Sequence, residues 1–171
     1  MATATKTMTG RMFKTSIDIP EQTRSKVVEY LNQNLADAFD FLSQSKQAHW
    51  NVKGSDFYQL HKLFDEIAGE AIEWVDMVAE RVTALGGYAT GTVRMAARSS
   101  QLPEFPTDIT DGMDFVQALV ERLAAYSNAC REGIDQTDKW GDIDTSDLLT
   151  EISRCADKYL YFLEAHLQGR G

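Results

Sequence analysis

A chain of 171 residues and 19.2 kDa has the size of one domain and can bury a core without disulfide staples. Its net charge of −9, with a pI near 4.8, repels phosphate backbones and anionic lipid and attracts cations, which favours metal over nucleic acid as a partner. Cys130 and Cys155 lack C-x-x-C spacing and read as small core residues; with no apolar leader or spanning segment, the expectation is a soluble, cytoplasmic chain without membrane association.

Residues 1–19 are rich in Thr, Lys and Gly, show no hydrophobic period and are expected to form a flexible tail. Pro20 then stands where a helix can begin, because the first turn does not need its missing N–H. Val28, Leu31, Leu35, Phe39 and Leu42 follow at helical spacing, and the stripe runs on to His49 before Val52-Lys53-Gly54 ends it. Ser55 and Asp56 offer cap chemistry for a second helix. Tyr58, Leu60, Phe64, Ile67, Ile72, Val75, Val78 and Val82 carry that helix to Leu85, and Gly86-Gly87 closes it. Each of these helices is about 45 Å long at about 1.5 Å per residue, which suits a long bundle.

Residues 86–110 contain Pro103 and Pro106 and one short helical candidate at 92–99, so they read as a long crossover. A third helix is predicted over 111–137 from Phe115, Leu119, Leu123, Tyr126, Cys130 and Ile134, and a fourth over 145–168 from Leu148, Ile152, Cys155, Tyr159, Phe162 and Leu163. The link between them, TDKWGDID, is short. Two helical hairpins joined by one long connection describe an all-α, ferritin-like four-helix bundle, here over 20–168, with a short extra helix in the crossover between the second and third helices and a short tail at 169–171. Nucleotide-binding and serine-hydrolase glycine motifs are absent from the sequence.

The chemistry concentrates on the second helix. His61, Asp65, Asp76 and Glu80 fall at about 0°, 40°, 60° and 100° around its axis, one continuous stripe. One imidazole and three carboxylates suit ferrous iron, manganese or zinc better than copper(I). The rise from His61 to Asp76 is about 22 Å, whereas the ligands of one ion lie about 2 Å from it. His61/Asp65 and Asp76/Glu80 are therefore two half-sites, and two copies packed antiparallel across a twofold axis would join them into two equivalent sites. Ala68, Gly69 and Ala71, near the midpoint of the stripe, are small enough for two backbones to approach there. A di-iron centre inside one subunit would need E-x-x-H pairs, and none of the three histidines has Glu three residues before it.

The segments K-Q-A-H-W-N-V-K-G (46–54), F-Y-Q-L-H-K-L-F-D-E (57–66), W-V-D-M-V-A-E-R (74–81) and A-L-G-G (84–87) together resemble the Dps mini-ferritins. The resemblance covers about residues 20–168 and implies a homo-oligomer, a dodecameric hollow shell with a ferroxidase centre at each twofold dimer interface. It implies that His49, His61 and Asp65 are ligands from one subunit and that Asp76 and Glu80 come from its partner. It also implies Trp50 as an aromatic beside the site and hydrogen peroxide as the usual oxidant, with ferric oxide stored inside and protection from oxidative stress as the result. Zinc or manganese would be the competing metals. Acids near the join of the last two helices line a pore in such shells; Asp138, Asp142 and Asp147 are the matching positions, and Asp144 could replace one of them. Glu66 and Lys53 are candidates for supporting the ligands. A tail with three basic residues on a net-negative body argues for weak or absent DNA binding.

Each of these residues also has a plainer reading. His49 alone would be a core histidine, Asp76 and Glu80 alone a solvated face, Trp50 and Trp74 packing residues, and the Asp-rich link a polar turn. His166 is expected to meet only the dipole at its helix C-terminus. A DNA-shielding shell and a zinc-buffering oligomer are the competing functions.

Overall fold

The computed structural model describes residues 11–169. Five helices follow in order, α1 (Glu21–Asn51), α2 (Phe57–Ala84), α3 (Val93–Ser99), α4 (Gly112–Trp140) and α5 (Ile143–Gln168), and there is no strand among the described residues. α1 pairs with α2 and α4 with α5, α1 also packs on α4, and α3 lies against α1. This is the expected all-α four-helix bundle with a short helix in its crossover.

Local chemistry sets the helix ends. α1 starts directly after Pro20, whose φ of −54° already suits a helix. The chain leaves α2 through Gly86 at φ +86°, a conformation that glycine adopts without strain. The same glycine leaves room for the backbone of Phe13, whose N–H donates to the Gly86 carbonyl at 2.7 Å.

That contact corrects part of the tail reading. Residues 11–19, expected to be flexible, lie along the bundle, with Met12 and Ile19 packed on the core. Residues 1–10 and 170–171 lie outside the described residues, and with them most of the N-terminal tail and the end of the C-terminal one.

The link between α4 and α5 is shorter than the sequence suggests. α4 continues to Trp140, and only Gly141 and Asp142 separate it from α5. The hydroxyl of buried Thr137 donates to the Gly133 carbonyl within α4, so this polar residue does not break the helix. Gly141 then turns the chain at φ +87°, and the Asp142 carboxylate caps α5 by accepting from the Thr145 N–H at 3.1 Å.

Phe41, Phe64, Leu119, Leu123, Tyr126 and Tyr159 are among the largest side chains of the shared core. Cys130 is fully buried as expected, while Cys155 is half-buried, and both are free thiols. Two of the apolar positions assigned to α2 do not join the core: Tyr58 is 70% exposed and Ile72 45% exposed. Every buried polar side-chain atom among the described residues has a partner, and no described helix is long and apolar enough to cross a membrane.

Candidate metal centre

His49 lies at the end of α1 and His61 in the second turn of α2, and the α1/α2 hairpin brings them together. Their rings stack with centroids 3.8 Å apart and 20° between planes. Each ring hydrogen-bonds the other's backbone: His49 Nδ1 lies 2.7 Å from the His61 carbonyl oxygen, and His61 Nδ1 lies 2.9 Å from that of His49. A carbonyl only accepts, so both Nδ1 atoms carry the hydrogen. In the neutral rings this leaves the Nε2 lone pairs open, the tautomer and orientation that a metal-binding histidine needs.

Asp65 faces the same opening, with Oδ1 4.0 Å from His49 Nε2. Two donors about 2.1 Å from one ion can stand up to about 4.2 Å apart, so the separation is compatible with a shared ion. The carboxylate now contacts Lys46, whose Nζ donates to Oδ1 at 2.7 Å. That hydrogen bond and the ammonium charge hold the Asp65 carboxyl below the usual carboxylate range, against a smaller opposing effect of desolvation.

Sequence reasoning passed over Lys46. The signal was available: it stands three residues before His49, where an E-x-x-H bundle would carry Glu. A cation there engages the carboxylate beside the two rings. Its ammonium also lies 5.9 Å from the ring centroid of Trp50, which is 62% exposed beside the site. The Phe57 ring sits 5.0 Å from that of His61 on the other flank.

Asp76 and Glu80 project from the far half of α2, exposed and without a side-chain hydrogen bond or ion pair among the described residues. No three His, Cys, Asp or Glu side chains of the described chain are grouped to hold an ion. The structure thus stacks His49 on His61 with Asp65 beside His49, a set too open to hold an ion by itself, and leaves Asp76 and Glu80 apart.

The small residues expected at a crossing point divide in the same way. Ala68 and Ala71 face the chain's own core, whereas Gly69 is exposed, with open space where a Cβ would stand. Gly69 and Ile72 fall inside the ligand stripe, at about 80° and 20° on the same wheel. Tyr58 shares that stripe at about 60°, which accounts for Tyr58 and Ile72; Phe57, 40% exposed at the start of α2, lies outside it.

Among the other expected positions, Asp142, Glu66 and Lys53 are engaged elsewhere. Asp142 is 1% exposed; its Oδ1 accepts from Arg81 Nη2 at 2.7 Å and its Oδ2 from the Thr145 hydroxyl at 2.6 Å. A carboxylate closed inside the α4/α5 joint does not line a pore. Asp138, Asp144 and Asp147 are exposed around that joint. Glu66 turns away from the histidines and accepts from the Tyr159 hydroxyl at 3.0 Å, and Lys53 Nζ stays near the Val52 carbonyl at 3.4 Å. His166 contacts the Phe162 carbonyl one turn back at 2.8 Å, a local helix-end contact.

With this geometry in hand, comparison with known proteins is specific. Residues 28–170 match the ferritin-like domain of the ferritin family. The DNA protection during starvation protein of Agrobacterium fabrum is 41% identical over 155 residues, 91% of this chain and 96% of that protein. DpsC from Streptomyces coelicolor superposes with a TM-score of 0.88 at 33% identity, covering 92% of both chains. The Dps protein of Vibrio cholerae, described as a member of a broad superfamily of ferritin-like diiron-carboxylate proteins, superposes with a TM-score of 0.84 at 28% identity, covering 91% of this chain and 98% of that one.

Proposed function

The chain belongs to the Dps family of ferritin-like proteins, and from that premise we propose that it stores iron and protects against oxidative stress by oxidising Fe(II) at sites shared between subunits. The observation that carries the reading is the stacked histidine pair, with both Nδ1 atoms engaged by backbone, His49 Nε2 4.0 Å from Asp65, and Asp76 and Glu80 on the far half of the same helix. Iron is substrate and cargo here. His49, His61 and Asp65 hold one side of each site, and Asp76 and Glu80 of a second copy close it across a twofold axis.

Imidazole nitrogen and carboxylate oxygen suit Fe(II), and carboxylates favour the harder ferric product, so the donor set drives the oxidation forward. Two ferrous ions supply the two electrons that cleave the O–O bond of one hydrogen peroxide molecule. Consuming both reactants together removes the source of hydroxyl radical. The ferric product hydrolyses and is kept inside a hollow dodecamer of 20–168 bundle domains. Zinc and manganese, which accept the same donors, would compete for the site. A net charge of −9 opposes DNA, so any binding is weak and sensitive to salt. The free cysteines fit a reducing, cytoplasmic setting.

Mixed assembly tests the shared site. His61→Ala and Asp76→Ala shells each lose ferrous oxidation, whereas shells assembled from both chains regain part of it, because some interfaces then pair an intact His61/Asp65 side with an intact Asp76/Glu80 side. Absence of any recovery, or full activity in a stable monomer, overturns the reading.

A further inference from the structure

Phe57 stands where a large apolar side chain gains little from the core: it opens α2 and is 40% exposed. The turn before it sets its place. Gly54 reverses the chain at φ +105°, and the Phe57 N–H closes the turn on the Gly54 carbonyl at 3.2 Å. From there its ring reaches His61, four residues on and so a neighbour on the helix surface, with centroids 5.0 Å apart and 30° between planes. This is the only ring contact of Phe57 among the described residues. His49 lies on the other flank of the same imidazole, its centroid at 3.8 Å and its plane 20° away. On the helical wheel Phe57 and Asp65 stand about 40° to either side of His61, so the aromatic ring and the metal-facing carboxylate bracket it.

The hydrogen bond and the stack restrain different motions. The bond from His61 Nδ1 to the His49 carbonyl, 2.9 Å long, selects which edge of the ring meets the backbone. A single hydrogen bond is also a pivot, however, and does not hold the ring plane. The imidazole could swing out to solvent, or make a half-turn about Cβ–Cγ that puts carbon where Nε2 stood. A ring on each flank closes both routes, because a half-turn must pass through the space that the neighbouring rings fill. His49 needs no such guard, since its side chain is only 12% exposed.

We propose that Phe57 is a positioning residue that holds the His61 ring in the orientation in which Nε2 faces the metal opening. Its bearing on iron rests on the shared-site reading given above; its effect on the ring does not. An aliphatic side chain at this position would cover similar area without presenting a flat face, so the role belongs to the ring and not to apolarity as such.

Histidine labelling makes the test direct, because the chain has only three histidines. Variants are compared as intact shells, checked by sedimentation, and His61→Ala assigns the signal. In metal-free wild type at a pH where the rings are neutral, magic-angle-spinning nitrogen NMR is expected to show His61 as one species with its hydrogen on Nδ1. Phe57→Leu and Phe57→Met, which keep an apolar side chain but no ring, should each add a second His61 signal with the hydrogen on Nε2, the tautomer an imidazole favours in water. Phe57→Tyr should restore the single species. Cobalt(II), followed by its ligand-field absorption, should bind about two- to tenfold more weakly in the leucine and methionine variants, the effect of one lost aromatic contact, and as in wild type in the tyrosine variant. A single Nδ1–H form of His61 with wild-type cobalt affinity in the ringless variants, or failure of tyrosine to restore that form, overturns the positioning role. A second tautomer in the ringless variants, together with cobalt binding that His61→Ala leaves unchanged, sinks the metal-centre reading and leaves the positioning role standing.

Discussion

A hydrogen bond between two histidines and each other's backbone does what sequence spacing alone could not specify: it settles which nitrogen of each ring faces the opening. At the same scale, Lys46 has a separable effect. Its ammonium is an intramolecular rival for any cation that approaches Asp65. Lys46→Met removes that rival, so zinc or cobalt(II), titrated calorimetrically at neutral pH, should bind more tightly. The gain should stay within about fivefold, because an exposed ion pair is worth about 1 kcal/mol or less. The same change moves the acid limb of metal binding to higher pH, since Asp65 loses the partner that lowers its pKa. The sign for stability follows from that direction. The contact contributes above the ordinary carboxylate pKa and is lost as pH falls through the lowered folded value, so wild type and variant should converge in acid. His61, Asp65, Asp76 and Glu80 were legible as one stripe because helical geometry converts spacing into direction. Lys46 stood at a telling position three residues before His49, but its contact with Asp65, 19 residues on in the chain, is set by packing.

Helix order, pairing and the short helix in the crossover were readable from hydrophobic period and punctuation, with errors at the ends. The α4/α5 joint shows why. An Asp-rich, Gly-containing link looks like a polar turn, or in a shell like the rim of a pore. Arg81, reaching from α2, instead draws Asp142 inside, where it caps α5 and ties three helices together. Asp142→Ala should therefore lower unfolding free energy by about 3 kcal/mol or more, as a buried ion pair loses one partner and a helix loses its cap. Denaturant melts would reveal this. A variant with unchanged stability and slowed iron uptake would restore the pore role. Tyr58 and Ile72 give the converse case. Their helical phase was correctly read as apolar, yet it belongs to a face that the single chain leaves open.

For the whole molecule, that open face is where the argument for assembly rests. Gly69 and Ile72 lie on α2 between the proposed half-sites, and a Cβ at Gly69 would meet nothing within 4 Å in the chain itself. Gly69→Trp should consequently leave the monomer folded by circular dichroism, while sedimentation shows loss of the assembled species and ferrous oxidation falls with it. An intact shell with normal activity would remove α2 from the interface. The amino-acid sequence by itself determined the class of fold and the impossibility of closing the site along one helix, because period and rise are properties of the local chain. Tertiary structure alone decided the histidine tautomers, the cation resting on Asp65, the burial of Asp142 and the carboxylates that accept from Tyr159. Each of these is a meeting of side chains and backbone far apart in the chain, and only packing sets the distances on which hydrogen bonds and charge pairs depend.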